Sequence, residues 1–275
     1  MIRDVCVYLD GSEQDQSRIA VAEQVATQFD ALVAGIYVNA LPEIPSTLGY
    51  DVGAVEIDSL QKAARMKGQK IASALRTRFG TLSTRNELRS HDVFESGVRD
   101  VYVEEARLFD LFVATRPYGK AGTGRDVSEA VLFGSGRASL MVPPGDASFD
   151  PGSIVIAWRN TREAARAVAE ALPFLVRARS VMVVMVGNDE LGGIERAAQG
   201  SDIARHLDRH GIKVDLNPVA HGPGVTDTLL EEARLAGAGM LVMGAYGHSR
   251  LREWILGGVT REILGRATIP VLVAH

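Results

Sequence analysis

Short apolar runs punctuate this chain, separated by longer stretches in which apolar and polar residues recur with helical spacing. Runs such as Val181–Val186 and Met240–Met243 show no polar alternation. That pattern fits strands covered on both faces rather than strands with one wet face. In the second half the pattern predicts strand 153–158, helix 161–177, strand 180–186, helix 190–210 and strand 212–219. Helix 224–236, strand 239–244, helix 250–266 and strand 270–274 complete it. Alternating β and α elements with short connections imply a parallel sheet with right-handed crossovers. Such sheets take ligands beyond the carboxyl ends of their strands, where the strand order reverses.

The pattern occurs twice. A β-rich run ending in a polar turn opens each half, Asp4–Ser12 and Ser153–Thr161. The helices that follow share a tetrapeptide, Ala20-Val21-Ala22-Glu23 and Ala167-Val168-Ala169-Glu170. Glu104–Leu108 and Glu231–Leu235 then match as Glu-Glu-Ala-Arg-Leu, each ahead of an apolar strand. Both halves end on a similar short strand, Ser139–Pro143 and Pro270–Val273. Four matches in the same order indicate duplication, with units expected at 1–145 and 151–275 and a join rich in turn formers across 143–152. The terminal strands, Leu140–Val142 and Val271–Val273, would lie at exposed edges, so the halves are expected to pair through them.

One segment carries candidate chemistry. Met240–Met243 runs into Gly244, and Gly247, Gly257 and Gly258 follow before Val259 and Thr260. Glycines at a strand end let backbone N–H groups approach an anion, and a helix N-terminus adds donors and partial positive charge. The helix is expected from Arg252 onward. No Gly-Lys-Ser/Thr follows and no Gly-x-Gly-x-x-Gly is present, which sets aside a Walker loop and a dinucleotide fingerprint.

The spacing Gly-two-Gly-nine-Gly, followed closely by a hydroxyl, resembles the nucleotide-binding signature of the universal stress protein family. The residue after the third glycine, usually Ser or Thr there, is Gly258 here, and Thr260 stands two positions on. The resemblance covers nearly the whole chain. It implies an α/β fold of two tandem open parallel five-stranded sheets flanked by helices, the adenine nucleotide alpha hydrolase-like arrangement of that family. It also implies a cytoplasmic stress-response regulator or sensor that binds ATP, ADP or AMP, with Mg²⁺ as a companion to a triphosphate. Binding would involve Met243, Gly244, Gly247, His248, Ser249, Gly257, Gly258, Val259 and Thr260, with Arg159 from the first strand of the same half. A slow ATPase or phosphotransfer protein, and an interaction scaffold that no longer binds nucleotide, are the alternative readings.

The halves diverge where ligand would sit. Asp10 follows the first strand, where the family's Asp faces the adenosine part; Arg159 stands at the corresponding place and has no acceptor. The first half reads Thr115-Arg116-Pro117-Tyr118-Gly119 and then Gly134-Ser135-Gly136, having lost the first glycine and gained a proline. The second half is therefore expected to bind the phosphates and the first to be degenerate.

The remaining features narrow the class. Composition is ordinary, 46% hydrophobic and 23% charged, and the formal charge is −4. Nothing marks a nucleic-acid or membrane partner. No apolar run approaches a membrane span or a signal-peptide core. A single cysteine, Cys6, excludes an internal disulfide and reads as a small core residue. Ser249 serves equally as a phosphate contact or a helix cap beside Glu253. His91, His206, His210 and His221 lack partners at ligand spacing, and the first three are read as a solvated helix face. Trp158 either packs at a strand end or flanks a base. No catalytic residue and no metal ligand stands out. The expected assembly is an intramolecular pair of the two repeats, with homo-oligomerisation left open.

Overall fold

The computed structural model describes residues 1–43, 54–119, 124–145, 149–187, 193–220, 224–245 and 258–275. The first half runs β1 (Asp4–Leu9), α1 (Asp15–Phe29), β2 (Leu32–Leu41), α2 (Ala54–Phe79) and β3 (Asn86–Phe94). It continues with α3 (Val98–Ala106), β4 (Leu111–Thr115), α4 (Arg125–Gly134) and β5 (Ala138–Val142). The second half repeats that order: β6 (Ser153–Ala157), α5 (Arg162–Leu175), β7 (Ser180–Gly187), α6 (Gly193–Arg209) and β8 (Asp215–Ala220). Then come α7 (Val225–Leu235), β9 (Met240–Gly244), α8 (Gly258–Arg266) and β10 (Val271–Ala274). The shared tetrapeptide falls on α1 and α5, and the Glu-Glu-Ala-Arg-Leu matches fall at α3 and α7.

All ten strands among the described residues belong to one sheet, ordered β3-β2-β1-β4-β5-β10-β9-β6-β7-β8. Each half contributes five strands in the same order from edge to seam, and within each half every pairing is parallel. The two five-stranded sheets thus fuse into one. Their junction is antiparallel, with Leu272 opposite Leu140 and Val271 opposite Met141. Pairing of the two terminal strands covers the apolar edges that each half would otherwise expose.

Residues along a strand alternate between two cores. Val5, Val7 and Leu9 point to the side of α1, α2, α5 and α6. Cys6 and Tyr8 point to the side of α3, α4, α7 and α8. Both cores run across the seam. On the first face, Phe174 of α5 meets Phe29 of α1 and Phe149 edge-on, with ring centroids 5.1 and 5.9 Å apart. Phe149 belongs to the join, and its backbone N–H donates to the Gln24 side chain at 2.9 Å. The end of the join is therefore packed into the core.

One element boundary differs from the sequence pattern, and one expected boundary lies outside the described residues. The strand expected from 212 begins at Asp215, because the Ile212 N–H is used to close α6 on the Leu207 carbonyl at 3.0 Å. The helix expected from Arg252 is described from Gly258; residues 246–257 lie outside the described residues. His91 lies on β3 beside Glu105 rather than on a helix. His206 and His210 are exposed on α6 and at its end, with ring centroids 5.0 Å apart.

Candidate functional site

Each half has a crevice where the strand order reverses, between β1 and β4 in the first and between β6 and β9 in the second. The helices leaving those two strands go to opposite faces of the sheet, so two helix N-termini flank each crevice. The two crevices can be aligned by strand register. Val7 pairs with Val113 as Ile156 pairs with Val242, which sets Tyr8 against Ala157.

In the second half, Ala157 and Met243 are register partners on β6 and β9. The fold thereby brings Arg159, exposed just past β6, to the same strand ends as Gly244 and Ala245. Thr161 caps α5, its hydroxyl accepting from the Ala164 N–H at 3.3 Å. Gly244 abuts that first turn: a Cβ there would stand 2.5 Å from the Ala164 nitrogen and 2.6 Å from the Glu163 carbonyl carbon. The glycine is thus required by the close approach of β9 and α5, a packing reason beside the phosphate reason read from the sequence. The Ala245 carbonyl accepts from His275 Nδ1 at 3.0 Å, and the His275 ring stacks edge-on with Phe133 from the first half at 4.8 Å.

At the start of α8, Gly258 has open space where a Cβ would be, and Val259 is partly exposed beside it. Thr260 is buried on the first turn. Met243, expected among the ligand contacts, instead buries its side chain in the core beneath the crevice. Trp158 packs partly buried against the opposite core, the bland option of the two read for it. Gly247, His248, Ser249 and Gly257 lie outside the described residues.

The first-half crevice is filled by its own side chains. Arg18, fully buried, donates to Asp10 at 2.7 Å and to Asp15 at 2.8 Å. Its guanidinium lies 4.6 Å from the centre of the Tyr8 ring. Tyr8 packs against Tyr102, whose hydroxyl donates to the Leu9 carbonyl at 2.8 Å. The beginning of α4 at Gly124 closes over the Tyr8 ring. Burial works against the Asp10 carboxylate, but the Arg18 charge and hydrogen bonds from Ser12 and Arg18 outweigh it and lower its pKa. For Asp15 burial wins over the Arg18 charge, and its pKa is raised. The Asp10 carboxylate is thus engaged by Arg18. The spacing of Asp15 and Arg18, three residues apart on the first turn of a helix, was a legible signal for this ion pair that the glycine motif overshadowed.

Across the seam, Tyr118 and Gly119 of the first half and Gly258, Arg261, Glu262, Gly265 and Arg266 of α8 line an open cavity of about 500 Å³. Arg261 lies 5.5 Å from the Tyr118 ring centre. Among the described residues, no three His, Cys, Asp or Glu side chains gather to hold a metal ion. No helix among them is long and apolar enough to cross a membrane. Burial pushes the Cys6 thiol up, consistent with an unreactive core residue.

The fold is shared with a universal stress protein from Archaeoglobus fulgidus, at a TM-score of 0.73 and 15% identity over 98% of this chain and 97% of that one. A functionally unknown protein from Pseudomonas aeruginosa matches with a TM-score of 0.59 and 15% identity over 99% of this chain and 92% of that one. A comparison with curated proteins matched none of them. Residues 152–275 match the model of the Universal stress protein family.

Proposed function

We propose that the chain is a tandem universal stress protein with units at 1–145 and 151–275, and that it binds an adenine nucleotide in the crevice of the second half. The phosphates would lie on the N–H groups opening α8, beside Gly258 and Thr260, with Gly244 and Arg159 at the adjoining strand ends. One observation carries this reading. Where the first half fills its crevice with Tyr8 and Arg18, the second has Ala157 by strand register and Ala165 by alignment of the shared tetrapeptide. The same scaffold therefore carries small side chains in one copy where it carries large ones in the other. The family match to residues 152–275 supports the ligand class.

The nucleotide acts as an effector in this reading. Backbone donors hold phosphate alike in ground and transition states, which tightens binding without accelerating chemistry. Fast phosphoryl transfer needs a metal clamp and a placed base, and among the described residues no three His, Cys, Asp or Glu side chains gather to hold a metal ion. Mg²⁺ would then be held chiefly by the triphosphate. Stress-response regulation in the cytoplasm follows from the family and is part of the same proposal. Calorimetry with ATP on the intact chain and on a Gly258→Val variant tests it. Binding is expected in the intact chain, weakened about tenfold or more by blocking N–H groups that an anion uses. Equal affinity in the variant, or no binding to the intact chain, would overturn the assignment.

A further inference from the structure

We infer that Arg116, a first-half residue, is a positioning residue for the nucleotide crevice of the second half, acting through α8. This rests on the reading of that crevice just given.

Arg116 directly follows β4, at the carboxyl end where its own half's crevice lies. Its side chain turns away from that crevice. Nη1 donates across the seam to the carbonyl of Ala267, immediately past the end of α8, at 3.1 Å. The guanidinium is half-buried, and its Nε is buried without a hydrogen-bond partner among the described residues. A desolvated cation set on the C-terminal carbonyls of a helix meets the negative end of the helix dipole. Neighbouring first-half residues press on the same turn. Tyr118 is buried in one core with Ile263 and Leu264. Gly119, at φ +86°, lies so close to the Gly265 carbonyl oxygen that a Cβ would stand 2.3 Å from it. Three first-half residues thus grip the last turn of a nine-residue helix.

The grip matters because of what the other end of α8 does. Gly258 and Arg266 are roughly 12 Å apart along the axis at 1.5 Å per residue, and a hydrogen-bonded helix of that length shifts as one body. A change at Ala267 is passed to the N–H groups that would hold phosphate. The arrangement is reciprocal in target but not in consequence. From α5, Arg166 Nη2 donates to the Gly136 carbonyl just past α4 at 2.8 Å. That helix belongs to the filled crevice, so Arg166 supplies a control from the same seam.

The test compares Arg116→Ala, Arg116→Lys and Arg166→Ala in the full chain. ATP affinity is read by calorimetry, and hydrogen exchange of residues 258–267 is read without nucleotide. Arg116→Ala should weaken ATP about fivefold or more, in the range of ordinary site-to-site coupling. It should also speed exchange in α8, and Arg116→Lys should restore part of both. Arg166→Ala should change affinity less than about twofold, whatever it does to melting, which separates positioning from general loss of stability. Unchanged exchange in α8 overturns the grip. Faster exchange with unchanged affinity, or an equal loss of affinity in Arg166→Ala, overturns the positioning role. Failure of the unsubstituted chain to bind ATP would instead strike the nucleotide reading itself, and the inference with it.

Discussion

Between the ends of β1 and β4 the first half holds Tyr8, Asp10, Asp15 and Arg18 as one packed cluster. Between the ends of β6 and β9 the second half has Ala157, Arg159 and Ala165 above the same strand register. Strand order, crossovers and flanking helices are alike in the two. What changed is a handful of side chains at the switch point. A buried guanidinium beside two carboxylates is a costly interior, offset here by the pairing of Arg18 with both Asp10 and Asp15. Filling a crevice in this way preserves the scaffold while changing what its switch point holds. A duplicated fold can therefore diverge at that point without altering its topology.

The largest expected effect concerns whether the halves are separable at all. Leu272 is fully buried opposite Leu140 at the antiparallel junction. Leu272→Asp places an unpaired charge between the two halves and should cost on the order of 4–5 kcal/mol, the upper range for single substitutions. Hydrogen exchange should show protection falling in both halves together. Loss confined to residues 151–275 would mean that the halves fold independently and that the comparison is between neighbours, not parts of one body.

Arg18→Met comes next. Removing the guanidinium leaves Asp15 buried without its counter-charge, a change worth about 3–5 kcal/mol in comparable buried pairs. Urea denaturation should register that loss while ATP affinity in the second half stays within about twofold. A variant as stable as the parent would show that the cluster does not hold the first crevice shut.

Much of this contrast was legible beforehand. The doubled βα order, the join and the pairing of terminal strands followed from apolar runs and repeated tetrapeptides, because strands buried on both faces leave an unambiguous pattern. Gly244 falls at the end of β9, whereas Gly247 and Gly257 lie outside the described residues. What escaped the sequence were contacts between residues far apart in the chain. Arg116 reaching Ala267, His275 reaching Ala245 and Phe149 wedged beside Phe174 depend on how two halves meet, and no local period encodes that.

Gly244 sharpens the comparison at a smaller scale. Its counterpart at the end of β4 is Thr115, also buried. Only in the second half does α5 come close enough to exclude a side chain. Gly244→Val should overpack that contact and cost about 1–3 kcal/mol, seen as a lower denaturation midpoint. Thr115→Val, nearly the same shape in the first half, should cost less. A stable Gly244→Val variant would mean that the N-terminus of α5 yields freely and that the second crevice is less rigid than the first.

The smallest effect is a difference in acid sensitivity, and its sign separates the two carboxylates that hold Arg18. The pKa of Asp10 is lowered in the folded chain, although burial alone would raise it, because the Arg18 charge and its hydrogen bonds prevail. Its contribution to stability is present above the ordinary value of 3.8 and is lost as pH falls through the lowered folded value. Asp15 behaves oppositely. Burial dominates there and raises its pKa, so the folded state takes up a proton more readily than the unfolded chain, and acidification relieves a penalty. In the parent the Asp15 gain falls in the window above 3.8 and the Asp10 loss in the window below it. Asp15→Asn removes the relieving slope, and its amide oxygen can replace one of the two carboxylate oxygens that accept from the Asp10 and Gly11 N–H groups. Urea midpoints measured from pH 6 downward should therefore fall more steeply for Asp15→Asn than for the parent above 3.8, where Asp15 takes up its proton in the folded chain, and run nearly parallel below it. All other carboxylates are common to both chains, so the difference in slope isolates this pair. A parallel or shallower decline between pH 6 and 3.8 would show that burial does not hold the Asp15 pKa above its ordinary value.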